Sequence, residues 1–192
     1  VNVLFDVLRK YVEEAQMPQL QRDVVAYLRN GNVLVHVEEE EQLRIFDALK
    51  QQTIQILDEP MEWQQAIHKA SEPLLHRAII KKSYVQAMID LLYDYGPYIV
   101  LANGVAIAHA NPEQGANALG LSLLINKQSI TFEDDANVHF LFVLSNPDQD
   151  KHLHLLRDIM RLANDTALVD QLLKMEDTLA ILEGLKKLSN MQ

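Results

Sequence analysis

Four apolar segments between residues 98 and 145 constrain this chain more than any other feature. They are YIVLA (98–102), GVAIAHA (104–110), ALGLSLLI (118–125) and NVHFLFVLS (137–145). Their apolar residues alternate or run unbroken, which is the pattern of β-strands and not of helices. The last three are so continuously apolar that a sheet built from them must be covered on both faces.

The segments on either side supply the cover. Upstream, TIQILD (53–58) reads as an edge strand closed by Pro60. A helix is expected over 61–69, with Trp63, Ile67 and Ala70 at apolar spacing. A second helix begins at Ser71-Glu72-Pro73, an N-cap followed by proline in the first turn. A third, SYVQAMIDLLYDY from Ser83, stops at Gly96-Pro97. Downstream, helices are expected over 151–163, 166–174 and 176–188. Helices before and after a block of strands imply an α/β fold. It should have a mixed central sheet of about five strands with helices on both faces.

The first fifty-odd residues carry a different pattern. Leu4, Phe5, Leu8 and Val12 have helical spacing, and 18–29 reads as a second helix ended by Asn30-Gly31-Asn32. A short extended piece should lead to Val37, followed by a helix over 38–51. The run from Glu38 to Glu41 would favour the positive end of that helix, and reads as a solvated acidic face. The expected organisation is therefore a helical extension or connector over 1–51 and an α/β domain over 52–192. The amphipathic N-terminal helices could pack on that domain, pair in a homodimer, or have lost a partner through truncation.

Charge and composition exclude several classes. The formal net charge is −10, so no direct nucleic-acid contact is expected from this segment, because such faces need clustered Lys and Arg. No apolar run reaches the ~18–20 residues of a membrane span, so no membrane insertion is expected. The absence of cysteine removes thiolate chemistry and fits a reducing compartment such as the cytoplasm. A chain that begins at Val1 and not at Met reads as a piece of a longer polypeptide.

Chemistry then falls to the seven histidines. His68 and His76 lie on amphipathic helices beside Lys69 and Arg77, and read as surface side chains; His36 gets the same reading. His139 shares a strand face with Leu141 and Val143 by the period-2 rule, and reads as a satisfied core histidine. His109 differs, because it ends an apolar strand and precedes Ala-Asn-Pro. Reaction and ligand sites of open α/β sheets gather where strands end. His152 follows another strand and turn, in the first turn of a helix that Asp148 or Asp150 can cap. A helix start favours an anion. A zinc site of His109, His139, His152 and Asp148 competes, but its spacing matches no common zinc pattern. The pair His152 and His154 diverges on a helix. No metal or cofactor is called for, and no G-x-S-x-G, P-loop or G-x-G-x-x-G is present.

From Trp63 to Ile125 the chain resembles the enzyme IIA domain of the bacterial phosphotransferase system, mannitol/fructose type, and within it the ascorbate branch. The elements that carry the resemblance are W-x-x-A-I at 63–67, Tyr84-Val85 with Ala87-Met88, Gly96-Pro97-Tyr98, and AIAHANPE. The later VLSNPDQDKHLHLLRDIMRLANDTALVDQLL also fits, with His152 at the family's second histidine. The resemblance spans roughly residues 52–190. It implies a phosphoryl relay. The carrier protein HPr would phosphorylate His109, which would pass the group to an enzyme IIB domain in the same chain or another. His152 would neighbour the phosphoryl group, with Asn111 and Asp150 close by. Two positions depart from the family pattern: Ala108 stands where many relatives have proline, and Asn111 where close relatives have arginine.

The extension resembles the connector that precedes the enzyme IIA domain in PRD-containing transcription regulators. The expected function is thus a phosphoryl-accepting regulatory module. A free-standing enzyme IIA subunit of an ascorbate or sugar-alcohol uptake system is the alternative. A third reading is a protein-binding module that no longer accepts phosphate.

Overall fold

A computed structural model describes residues 44–132, 137–147 and 153–190. These fall within the second of two units of the chain, Gln42–Gln192. The expectations for the helices at 1–15 and 18–29 and for the extended piece to Val37 lie outside the described residues.

Helix α1 (Ile45–Ala48) opens the described chain, a 3-10 turn follows at Gln51–Thr53, and β1 (Ile54–Leu57) and β2 (Met61–Glu62) come next. Then come α2 (Trp63–His76), α3 (Lys82–Tyr95), β3 (Val105–Ala108), β4 (Gly120–Thr131) and β5 (Asn137–Ser145). Helices α4 (Leu153–Asn164), α5 (Thr166–Leu173) and α6 (Thr178–Leu185) close the fold. The sheet runs β1-β4-β5-β3, and β2 also pairs with β4. β4 and β5 are antiparallel, while β1, β2 and β3 each lie parallel to their partner. The fold is a mixed α/β sandwich, as the strand block with flanking helices predicts.

Alternation along the strands splits the core in two. Ala106, Ala108, Leu124, Leu141 and Val143 face the layer of α2 and α3. Val105, Ile107, Leu123, Ile125, Phe140 and Phe142 face α4, α5 and α6. Each fully buried aliphatic or aromatic side chain contributes about 1.5–3 kcal/mol of burial free energy. Ile45 and Leu49 also belong to this second half, so residues before position 52 help to close it.

Four expectations need correction. The first concerns 98–102, which forms no strand. Val100 makes one isolated bridge to Ala106, and Asn103 (φ 52) and Gly104 (φ 73) turn the chain straight back into β3. Leu101 N–H donates to Val105 O and Ile107 N–H to Ile99 O, so the segment covers the edge of β3. The fifth strand is instead β2. Second, the two helices expected over 61–76 are one. Pro73 lacks the N–H that would reach the Lys69 carbonyl, and Gln55 Nε2 donates to that carbonyl from β1 at 2.7 Å. The helix therefore continues through its proline without an orphaned acceptor.

The third correction concerns the helix expected over 38–51. Among described residues it covers only Ile45–Ala48, because Leu49 and Lys50 are extended. Fourth, strict alternation fails at His139. Val138 and Leu141 face the same half of the core, opposite a bulge between Ile125 and Ile130 of β4.

Candidate functional site

β3 and β5 run parallel with Ala108 opposite Val143, so both chains leave the sheet at the same end. β4 enters there, with Gly120 opposite Ser145. His109 is the first residue beyond β3 and is exposed, between the buried Ala108 and Ala110. The two alanines pack toward α2 and α3. Burial on both sides holds the backbone while the imidazole between them meets solvent.

The loop after His109 is fastened on two sides. Asn111 Oδ1 accepts the Glu113 N–H at 3.0 Å, and Gln114 Oε1 accepts the Asn111 N–H at 3.2 Å. This reciprocal cap starts the 3-10 turn Pro112–Gln114. Ser83 Oγ at the start of α3 donates to Gln114 O at 2.7 Å, and Lys81 N–H donates to Gly115 O at 2.9 Å. Gly115 has φ 132, and a Cβ there would lie 2.7 Å from Ser83 Oγ. On the other side, Ser145 Oγ at the end of β5 donates to Ala118 O at 2.8 Å. Asn111 therefore shapes the loop with the same side-chain oxygen that a bare polar reading would leave for a ligand.

Tyr84, on α3, reaches the same place from beneath. It is 1 % exposed. Its hydroxyl accepts the Ala110 N–H at 3.1 Å and lies 2.8 Å from Leu144 O and 3.2 Å from Ala110 O. Burial, more than the opposing backbone hydrogen bond, raises its pKa, so the phenol stays a donor. The sequence placed Tyr84 near the start of a helix and among the residues that carry the family resemblance, with no role at the site. The available signal was a tyrosine at a core position, whose hydroxyl must find a partner there.

The other histidines lie elsewhere. His139 is half-buried with Nδ1 2.9 Å from Asn126 O, which fixes the proton on Nδ1. It is hydrogen-bonded, as expected of a satisfied histidine, but half-buried at the bulge and not in the core. Its N–H donates to Gly104 O, at the far end of β3 from His109. Five residues of strand, roughly 16 Å at ~3.3 Å each, separate the two positions, so a zinc site joining them is excluded. His68 and His76 are exposed on α2. His154, on α4, is half-buried, and burial and then Arg157 lower its pKa. Asp148, Asp150 and His152 lie outside the described residues, as does His36.

The described residues thus define an α/β domain with an exposed imidazole where two parallel strands end. The family described as the phosphoenolpyruvate-dependent sugar phosphotransferase system, EIIA 2, matches residues 47–188. The chain is 33% identical over 132 residues to the mannitol-specific cryptic phosphotransferase enzyme IIA component of Escherichia coli, covering 68% of this chain and 90% of that one. A solution structure under that same description superposes with a TM-score of 0.68 at 30% identity, covering 76% of this chain and 99% of that one. The ascorbate-specific PTS system EIIA component of Salmonella choleraesuis is 30% identical over 134 residues, 68% of this chain and 87% of that one. In the complex of enzyme IIAMTL and phosphorylated enzyme IIBMTL from Escherichia coli, the similar chain has a TM-score of 0.62 at 19% identity, covering 72% of this chain and 97% of that one. The chain belongs to the PTS EIIA type-2 family, the phosphoryl-transfer domains of sugar-specific phosphotransferase systems.

Proposed function

We propose that His109 is the phosphoryl acceptor of this domain, charged by HPr and discharged to an enzyme IIB domain. The observation that carries this reading is the exposed imidazole at the carboxyl end of β3, on a loop fastened to both α3 and β5. A neutral imidazole offers a nitrogen lone pair near pH 7. That pair forms the new N–P bond, while the bond from phosphorus to the donor atom breaks and its electrons leave with the donor. In discharge, a nucleophile of enzyme IIB bonds to phosphorus while the N–P bond breaks and its electrons return to the ring nitrogen. Such transfers depend mainly on positioning and charge stabilisation. His152 and the helix start that follows β5 are proposed to supply both, with Asp150 as a cap of that helix. Two protein partners must reach the ring in turn, which suits an exposed strand end. The complex of a similar enzyme IIA with phosphorylated enzyme IIB supports that choice of second partner.

The domain's setting is read as a regulatory module of a PRD-containing transcription regulator. Residues 1–46 precede the matched segment and favour this over a free-standing enzyme IIA subunit. A DNA-binding region encoded upstream in the same reading frame supports the regulator; its absence supports the free-standing subunit.

The test of the site is direct. The chain is incubated with enzyme I, HPr and phosphoenolpyruvate, and acid-labile phosphate is mapped. Label is expected on the wild type, none on His109→Ala, and about ten- to a hundredfold slower labelling on His152→Ala. An unlabelled wild type with a matched HPr overturns the reading in favour of a protein-binding module.

A further inference from the structure

The Tyr84 hydroxyl occupies a place where a backbone hydrogen bond of the sheet belongs. Along β3 the Ile107 N–H points to Ile99 O, away from β5. Amides alternate sides along a strand, so those of Ala106, Ala108 and Ala110 face β5. With Ala108 opposite Val143, a continued parallel ladder would send the Ala110 N–H to Leu144 O. Instead the Ala110 N–H donates to Tyr84 Oη at 3.1 Å, and Tyr84 Oη donates to Leu144 O at 2.8 Å. A hydroxyl carries one proton, and the Leu144 oxygen is nearer than the Ala110 oxygen at 3.2 Å.

We propose that Tyr84 is a positioning residue for phosphoryl transfer at His109: its hydroxyl replaces one rung of the β3–β5 ladder and sets the opening between the two strand ends. The inference rests on the reading of His109 as acceptor. A direct rung would draw Ala110 N and Leu144 O to within ~2.9 Å. The inserted oxygen holds them further apart, immediately beyond His109 and just before the chain leaves β5 toward His152. A phenylalanine would fill the same core volume. The hydroxyl serves only its hydrogen bonds, since burying one without partners is costly. Losing it either closes the ladder or orphans a buried amide, and both outcomes shift the backbone that carries the imidazole.

Phosphoryl transfer from phosphorylated HPr to the full chain is followed by rapid quench, for wild type and Tyr84→Phe. The expected result is a fall in kcat of about ten- to a hundredfold with KM for phospho-HPr within twofold, as for a small misplacement of reacting groups. Placing 4-aminophenylalanine at position 84, which returns the spacing atom and a donor to Leu144 O but only a weak acceptor to the Ala110 N–H, should restore part of the rate. An unchanged kcat, or a raised KM alone, overturns the proposal. A wild type that takes no phosphate refutes the acceptor reading instead. Should Tyr84→Phe fail to fold, NMR of the wild type carries the test. The Tyr84 hydroxyl proton should exchange slowly and should shift on phosphorylation of His109. A hydroxyl proton lost to solvent, or unmoved by phosphorylation, overturns it.

Discussion

At the scale of single residues, Asn111 shows how one side chain can hold two meanings. In the sequence it reads as a polar neighbour of the proposed phosphoryl group. In the structure its oxygen caps the turn after His109. Aspartate caps as well as asparagine, but adds a negative charge next to the proposed phosphoryl group. Asn111→Asp should therefore keep thermal stability within about 0.5 kcal/mol while slowing phosphorylation severalfold, read from melting curves and labelling rates on the same preparation. His154 gives a second case. Burial and the Arg157 charge favour its neutral form in the folded chain, so the unfolded chain binds the proton first as pH falls. Its contribution to stability is fully present above the unfolded pKa of about 6.5 and is lost as pH drops toward the lower folded value. Urea unfolding between about pH 7.5 and pH 5.5 should show this loss, and His154→Gln should make the profile flatter.

Among the elements, α2 depends on a strand for its continuity. A proline in a helix interior leaves an acceptor unsatisfied, and here the Gln55 amide supplies the missing donor to Lys69 O. Ser122 Oγ likewise donates to the next carbonyl, that of Ala70. Both donors come from the sheet, so the helix is stitched to β1 and β4 along the turn its proline disturbs. Gln55→Leu should lower stability by about 1–3 kcal/mol, the cost of an unsatisfied buried acceptor. Denaturant unfolding monitored by circular dichroism checks this. A loss below a few tenths of a kcal/mol would show that solvent reaches the Lys69 carbonyl.

For the whole molecule, the question is where the folded unit begins. Arg44 grips the buried Asp158 of α4 with Nε at 2.8 Å and Nη2 at 3.0 Å, and the Ile45 N–H donates to the same carboxylate at 3.1 Å. Asp158 is 1 % exposed, and a buried carboxylate stripped of its partners is strongly destabilising. Ile45 and Leu49 close the core beside it. A chain starting at residue 52 should therefore melt well below one starting at residue 42. The expected gap is about 5–15 °C, given ~2–4 °C per kcal/mol in a domain of this size. Scanning calorimetry of the two chains decides it, and equal melting temperatures would assign residues 44–49 no part in the fold.

The amino-acid sequence alone determined the fold class, the buried strands, most helix positions and the placing of His109 at a strand end. All of these follow from local periodicity and from turn residues such as Gly96-Pro97 and Asn111-Pro112. Only the tertiary structure decided that 98–102 is a folded-back edge, that α2 runs through Pro73, and that His139 is tied to the Asn126 carbonyl far from His109. It also brought the Tyr84 hydroxyl between β3 and β5. Periodicity shows which residues are buried, but the partner of a buried hydroxyl, a proline-freed carbonyl or a buried carboxylate comes from a segment distant in the chain. Those pairings exist only once sheet and helices have packed.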